Sequence, residues 1–255
     1  MTTHGDGPFV TTQAVRLADE VIFLHNDMVM ERYQKNLGSF TQEELTYIKS
    51  KSACVVGCGG LGGQAAMTLA RFGIGSLTLV DGDVFEESNL NRQVFSTEHN
   101  LGINKALAAK TALAQINSEI KISAIDTMLT EANAAELLAG HDIVLDCLDN
   151  LPARLILESS CAEARIPFVH GAISGFSGQV CCVFPGENIL HTIYSKNLHD
   201  NKETASSAPA FAPQFVAAVQ CSEALKILTG KGVTLRKQLL MIDLFNNQFE
   251  VIDIA

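Results

Sequence analysis

The chain has 255 residues, 47% of them hydrophobic and 18% charged, the composition of a globular protein with a sizeable core and not of a disordered one. Its formal net charge is −10, which makes nucleic acid an unlikely partner because phosphate contacts need Lys and Arg. No apolar run reaches membrane-spanning length and no basic segment leads into an apolar stretch near residue 1, so a cytoplasmic protein without a membrane partner is expected.

Residues 1–13 are rich in Thr and Gly and are expected to be poorly ordered. Gln13 to Leu24 carries apolar residues at helical spacing, and Glu31 to Leu37 reads as a second helical piece. Thr41-Gln42-Glu43-Glu44 has the form of a capping box, which starts a helix running from Gln42 to about Ser50. From Ala53 the rhythm changes. Apolar runs at Ala53–Val56, Ser76–Val80, Ile120–Ile125, His141–Cys147 and Ile166–His170 read as strands. Helical stretches at Gln64–Phe72, Asn104–Ile116, Glu131–Ala139 and Pro152–Ala164 separate them. Such alternation predicts an α/β fold: a doubly wound, mostly parallel, Rossmann-like sheet covered on both faces. After Gly171 the pattern shifts to an antiparallel extension. Gly178–Phe184 alternates weakly, Asn188–Pro209 reads as a long polar loop, and Pro213 opens a helix stopped by Gly230. Leu239–Leu244 and Gln248–Ile254 flank a hairpin turn at Phe245-Asn246-Asn247. No repeat or clean linker appears.

The seven cysteines include no C-x-x-C pair and read as small buried hydrophobes in a reducing compartment. The chemistry lies elsewhere. Gly57, Gly59 and Gly62 give the spacing G-x-G-x-x-G between a strand and a helix, with Asp81 closing the next strand. Glycines let the backbone approach a phosphate, the helix N-terminus offers free N–H groups, and the acid meets a ribose hydroxyl. A redox dinucleotide domain needs little more. Here Asn89, Arg92 and Gln93 follow just beyond the acid, and they are phosphate and ribose ligands by chemistry. Lys105 begins a helix, where a cation opposes the dipole unless an anion sits there too. The segment Asp146-Cys147-Leu148-Asp149-Asn150 ends a strand beside the first one. Asp149 is then placed to hold magnesium between phosphates, while Asp149 or Asn150 before Pro152 equally fits a helix cap.

These motifs resemble the ThiF/MoeB/HesA family, bacterial relatives of the ubiquitin-activating enzymes. The likeness runs from about Glu31 to the C-terminus, giving an N-terminal extension over 1–30 and a single ATP-binding adenylation domain over 31–255. It rests on Glu31-Arg32-Tyr33-Gln34-Lys35, the glycine turn, Asp81-Gly82-Asp83, Ser88 to Gln93, Gly102 to Lys105 and Asp146 to Asn150. The resemblance implies a homodimeric adenylyltransferase that uses ATP and Mg²⁺. Its substrate would be the C-terminal Gly-Gly carboxylate of a small ubiquitin-like sulfur carrier of the thiamine or molybdopterin type. It implies that Gly57, Gly59, Gly60 and Gly62 form the nucleotide turn and that Asp81 binds ribose, with Asp83 among the cofactor residues. Asn89, Arg92, Gln93 and Lys105 surround the triphosphate, and Asp149 binds magnesium. A basic residue from the partner subunit's N-terminal segment is also implied; Lys35 stands there where Arg is usual, so the charge is kept and the fork is lost.

The chain departs from the family in lacking the two C-x-x-C pairs of a structural zinc, so no zinc site is expected. A crossover-loop cysteine is missing too: Ala205 stands at about that position, and Cys181 and Cys182 in a strand-like run are poor substitutes. The chain is therefore expected to make the adenylate and leave sulfur delivery to another protein. Competing readings are a family member that adenylates a non-protein substrate such as modified tRNA, an NAD-binding oxidoreductase, and a non-catalytic scaffold.

Overall fold

Residues 14–17, 20–23, 29–195 and 207–254 are described by the computed structural model. Their contacts divide the chain into two units, Met1–Gln42 and Glu43–Ala255. In the first, β1 (Ala14–Leu17) pairs antiparallel with β2 (Glu20–Phe23), with Leu17 opposite Glu20. This corrects the helix expected over Gln13–Leu24. Val15, Val21, Ile22 and Phe23 are strand formers, and apolar spacing over so short a stretch does not separate the two periods. A 3-10 turn over Glu31–Asn36 follows and carries the exposed Lys35. The expected disorder of 1–13, and the stretch Thr204 to Ser206 with Ala205, lie outside the described residues.

In the second unit, helix α1 (Gln42–Lys49) leads into the strand-and-helix alternation. The strands are β3 (Ser52–Val56), β4 (Ser76–Val80), β5 (Lys121–Ile125), β6 (Ile143–Asp146), β7 (Phe168–Ser174), β8 (Ser177–Val183), β9 (Gln238–Asp243) and β10 (Gln248–Asp253). They form one sheet in the order β10-β9-β8-β7-β6-β3-β4-β5. The run β5-β4-β3-β6-β7 is parallel, and β8, β9 and β10 add antiparallel pairs. This is the mostly parallel sheet with an antiparallel extension that the periodicity predicts. The longer helices are α2 (Gly60–Phe72), α3 (Lys105–Ile116), α5 (Leu151–Ala164) and α7 (Phe211–Thr229), joined by short α4 (Ala134–Leu138) and α6 (Ile189–Ile193).

Strands β3 and β6 are central and nearly wholly buried. Alternate residues face opposite layers. Cys54, Val56 and Val144 join Leu137, Leu157 and Leu190 of α4, α5 and α6 in one core cluster. On the other layer α2 packs against both α3 and α7, and α7 covers β7 and β8. All seven cysteines are free and buried within this framework.

Helix α6 falls in the stretch expected to be loop. Its N-terminus is capped from a distance: Leu190 and His191 donate their backbone N–H groups to Glu158 of α5, at 2.7 and 3.4 Å. Helix α7 starts two residues before Pro213, which sits in the first turn where an N–H has no intrahelical acceptor. It stops at Gly230 in the left-handed conformation.

Candidate functional site

In an open parallel sheet the binding crevice lies beyond the C-terminal ends of the strands, where the chain order reverses. Here that point is between β3 and β6. The turn after β3 is packed so closely that side chains are excluded. Gly57 has φ +90°, and a Cβ there would lie 2.6 Å from the carbonyl oxygen of Cys147 in the loop after β6. A Cβ on Gly62 would lie 1.7 Å from the carbonyl oxygen of Gly57. Helix α2 begins inside the motif at Gly60, with Gly59 as its N-cap and no capping side chain. Its first N–H groups are thereby left for a ligand.

Around this turn the structure gathers most of the residues singled out in the sequence. Asp81 is buried, and both its oxygens are engaged: Oδ2 accepts from the Cys58 N–H at 2.6 Å and Oδ1 from the Asp83 N–H at 2.8 Å. Burial raises its carboxyl pKa, and the two backbone donors oppose that rise. Asp81 thus braces the glycine turn against the loop after β4. Asp83 is the more open carboxylate of the pair, with half its side chain exposed and its Oδ2 2.9 Å from Lys105 Nζ. Asp83, Val84, Glu86, Asn89 and Lys105 line a cleft of about 170 Å³. Asn89 Oδ1 accepts from the Glu86 N–H, closing a short turn that ends at Asn89 and leads on to Arg92.

Arg92 and Gln93 reach the glycine motif itself. Arg92 Cγ is 3.5 Å from the place a Gly60 Cβ would take, and Gln93 Nε2 is 3.5 Å from the equivalent point on Gly59. Arg92 Nη1 donates to the Ser88 carbonyl and to Asn91 Oδ1, each at 2.9 Å. Gln93 is buried, and its Oε1 has no hydrogen-bond partner among the described residues. A buried acceptor without a partner beside an open helix N-terminus suits a site completed by a ligand.

At the end of β6 the geometry assigns the cap. Asn150 is the N-cap of α5, its Oδ1 accepting from the Ala153 N–H at 3.0 Å. Asp149 is exposed, and among the described residues its Oδ1 receives a 3.2 Å contact from Asn150 Nδ2 next door. Its carboxylate has the charge and freedom a magnesium ligand needs, two residues beyond the Cys147 carbonyl that packs on Gly57. Lys35 belongs to the other unit. Among the described residues no group of three or more His, Cys, Asp or Glu is arranged to hold a metal.

Two features escape motif reading. Asn104 is buried at the start of α3, where its Oδ1 caps the Leu107 N–H at 3.0 Å. Its Nδ2 is within 2.8 Å of the Asp81 carbonyl and of Asp126 Oδ1, and 3.1 Å from the Asp83 carbonyl. It holds Lys105 and the Asp81–Asp83 loop together; the pattern Asn-Lys at a helix start was the available signal. Beneath the Asp149 loop lies a cluster of buried Asp146, Arg154 and His170 with half-buried Gln179 and Tyr194, drawn from β6, α5, β7, β8 and the end of α6. Nothing local in the sequence pairs them. Cysteines beside the turn supply no nucleophile: burial pushes the Cys58 and Cys147 thiols well above the ordinary range. Burial, with Glu223 beside it, does the same to Cys182, whose Sγ is 3.2 Å from Glu223 Oε2.

Comparison with known proteins agrees with this architecture. The molybdopterin-synthase adenylyltransferase of Escherichia coli is 34% identical over 229 residues, 88% of this chain and 92% of its own length. The enzyme of the same name from Haemophilus influenzae is 39% identical over 203 residues, 78% of this chain and 83% of its own length. The SAMP-activating enzyme E1 of Haloferax volcanii is 33% identical over 206 residues, covering 80% of this chain and 76% of that one. Among solved structures, E. coli MccB with ATP has the same fold at a TM-score of 0.78 and 22% identity, covering 88% of this chain and 72% of that chain. Residues 33–255 match the ThiF family, and with relatives of this identity and coverage the chain belongs to it.

Proposed function

We propose that the protein is an ATP-dependent adenylyltransferase that activates the C-terminal Gly-Gly carboxylate of a small ubiquitin-like sulfur carrier. The names of its relatives support this reading, as adenylyltransferases and an E1 that activates a protein partner. The observation that carries it is the division of labour after β6. Asn150 caps the helix, so Asp149 is free to meet phosphate-bound magnesium beside the glycine turn. Nothing in hydride transfer calls for such an acid together with Arg92 and Lys105, so the oxidoreductase reading is not favoured.

The chemistry needs no nucleophile from the protein. A carboxylate oxygen of the carrier attacks the α-phosphorus, a new O–P bond forms, the α–β bridging bond breaks, and pyrophosphate leaves. The protein aligns the reactants and offsets charge. Gly57, Gly59, Gly60 and Gly62 give the phosphates a close approach to the α2 N-terminus. Arg92 and Lys105 would face the triphosphate, and Gln93 would lend its unpartnered oxygen and its amide to the nucleotide. Asn89 and Asp83 line the cleft as ribose or phosphate ligands. Asp81 would bind the ribose while bracing the turn, since each of its oxygens accepts one backbone N–H and keeps a lone pair for a hydroxyl. Magnesium held by Asp149 would neutralise charge on the phosphates. The protein acts in the cytoplasm as a homodimer in which Lys35 of the partner subunit completes the phosphate site. With every cysteine buried, sulfur delivery falls to another protein.

The test is ATP–pyrophosphate exchange with purified carrier proteins ending in Gly-Gly. Carrier-dependent exchange is expected, reduced at least a hundredfold by Asp149→Ala. Exchange that survives Asp149→Ala refutes the metal assignment. Exchange driven by tRNA, or by no diglycine-ended carrier, refutes the substrate. Thermal stabilisation by ATP and not by NAD is the simpler companion measurement.

A further inference from the structure

Leu148, the residue just before Asp149, is held at both of its backbone polar groups. The Leu148 N–H donates to Asp146 Oδ1 at 3.1 Å, and the Leu148 carbonyl accepts from Arg154 Nη2 at 2.6 Å. Arg154 comes from the first turn of α5 and reaches back over the loop that precedes its own helix. Its Nη1 donates to the Tyr194 hydroxyl at 3.1 Å, and its Nε lies 3.9 Å from Asp146 Oδ2 with no hydrogen-bond partner among the described residues.

The grip is closed into a ring. Asp146 Oδ2 is 2.7 Å from His170 Nδ1 on β7, and His170 Nε2 is 3.1 Å from the Tyr194 hydroxyl. Gln179 of β8 also donates its amide to that hydroxyl. The phenol oxygen thus accepts from Arg154 and Gln179, which leaves its own proton for His170 Nε2. That assignment requires a neutral imidazole with its proton on Nδ1, facing Asp146. Burial favours the neutral ring, holding the His170 pKa below the ordinary histidine value. Asp146 and His170 are wholly buried, and Arg154 is 9% exposed. A buried charged cluster contributes little to stability compared with apolar side chains of the same volume. Its gain is geometric, because hydrogen bonds from several elements that converge on one residue restrict how it can move.

We propose that Arg154 and Tyr194 are positioning residues for the adenylation. Together with Asp146 and His170, they lock the backbone of Leu148 on both sides and so fix the direction in which Asp149 presents its carboxylate to magnesium-bound ATP. This rests on the reading of Asp149 as the metal ligand. Partners that orient a metal ligand typically change metal affinity by about 10- to 100-fold when removed. An Arg is required because one planar group must serve Leu148, Tyr194 and Asp146 at once, which a lysine ammonium on a flexible stem does not do.

The experiment is calorimetric titration of the intact protein with the non-hydrolysable analogue AMPCPP, with and without magnesium. The quantity read is the gain in affinity that magnesium confers. Arg154→Lys and Tyr194→Phe should each cut that gain about tenfold or more, with metal-free affinity and thermal midpoint near those of the parent. Tyr194→Phe keeps the ring and removes only the hydroxyl, so it guards against a folding defect in the Arg154 variant. In an Asp149→Ala background, which should abolish the gain, Arg154→Lys should have no further effect. The proposal is overturned by a gain that persists in both variants. It is overturned equally by parallel losses with and without magnesium, the signature of a general structural role. A gain intact in Asp149→Ala refutes the metal assignment along with it. A gain lost in Asp149→Ala and kept in Arg154→Lys and Tyr194→Phe refutes the positioning alone.

Discussion

Gly57 and Gly62 are fixed by different constraints. Gly57 needs both a positive φ and space beside the Cys147 carbonyl; Gly62 needs only space, and it has less of it. At Gly62 the obstacle is backbone, which does not rotate away. Gly62→Ala should therefore lower stability by about 3 kcal/mol or more, the range of severe overpacking, as read by urea unfolding. A different sign of effect is expected at His170. The folded protein resists protonating it, whereas an unfolded chain takes the proton with the ordinary value near 6.5. Below that value the unfolded state binds more protons, so stability falls as pH drops through 6.5 and is fully present above it. The groups that face His170 are Asp146, Arg154, Tyr194 and Gln179, with the charge of Glu158 farther off. The loss should not exceed about 1.4 kcal/mol per pH unit. Unfolding of the parent and of His170→Asn between pH 7.5 and pH 5 measures it, and the variant should show a flatter profile.

Among elements, α3 shows how a cap becomes part of a site. Asn104 satisfies the helix N-terminus with its oxygen and ties down two carbonyls with its amide, so Lys105 and Asp83 meet in one place. Asn104→Ala should cost about 1–2 kcal/mol from the cap alone and should also weaken ATP binding; Asn104→Ser keeps a capping oxygen and loses the amide, so it should recover part of the stability and not the affinity. Strands β3 to β7 and their helices are legible in the sequence because each carries its own apolar run between turn residues. Three elements are not. For α6 the deciding group is Glu158, thirty-two positions away, and no local pattern announces a cap supplied by another helix. For β1 and β2 the deciding term is cross-strand pairing, which apolar spacing along one segment does not contain. The same division holds in the site. Gly57 to Gly62 are readable because their spacing states a close turn, and Asp81, Arg92 and Asp149 are picked out by residue type. The role of Asp81 as a brace, with Asp83 as the more open acid, is visible only once hydrogen bonds are assigned.

For the molecule as a whole, the parallel half and the antiparallel half of the sheet have separate uses. The parallel half builds the crevice, and the antiparallel strands extend the surface beyond it, ending in β10, exposed along its whole length. Completion of the crevice by a second subunit is a prediction about assembly. Lys35→Ala and Asp149→Ala should each be inactive in exchange assays. Mixing the two should restore about a quarter of parental activity if subunits associate at random, because half the dimers then contain one intact site of two. No recovery on mixing, in a preparation shown to exchange subunits, would place Lys35 in its own chain's site or in none.

The complete burial of the seven thiols has a practical consequence. Their pKa values are raised by burial, to about 12 for Cys54 and Cys221, so a thiol-reactive dye meets a silent surface while the chain is folded. Labelling then reports opening events alone. Cys58 lies in the glycine turn, Cys221 in α7 and Cys182 in β8, so mapping which sulfur reacts first yields a site-resolved clock of breathing motions. Bound ATP should slow that clock most at Cys58, giving a ligand footprint from residues that take no part in catalysis.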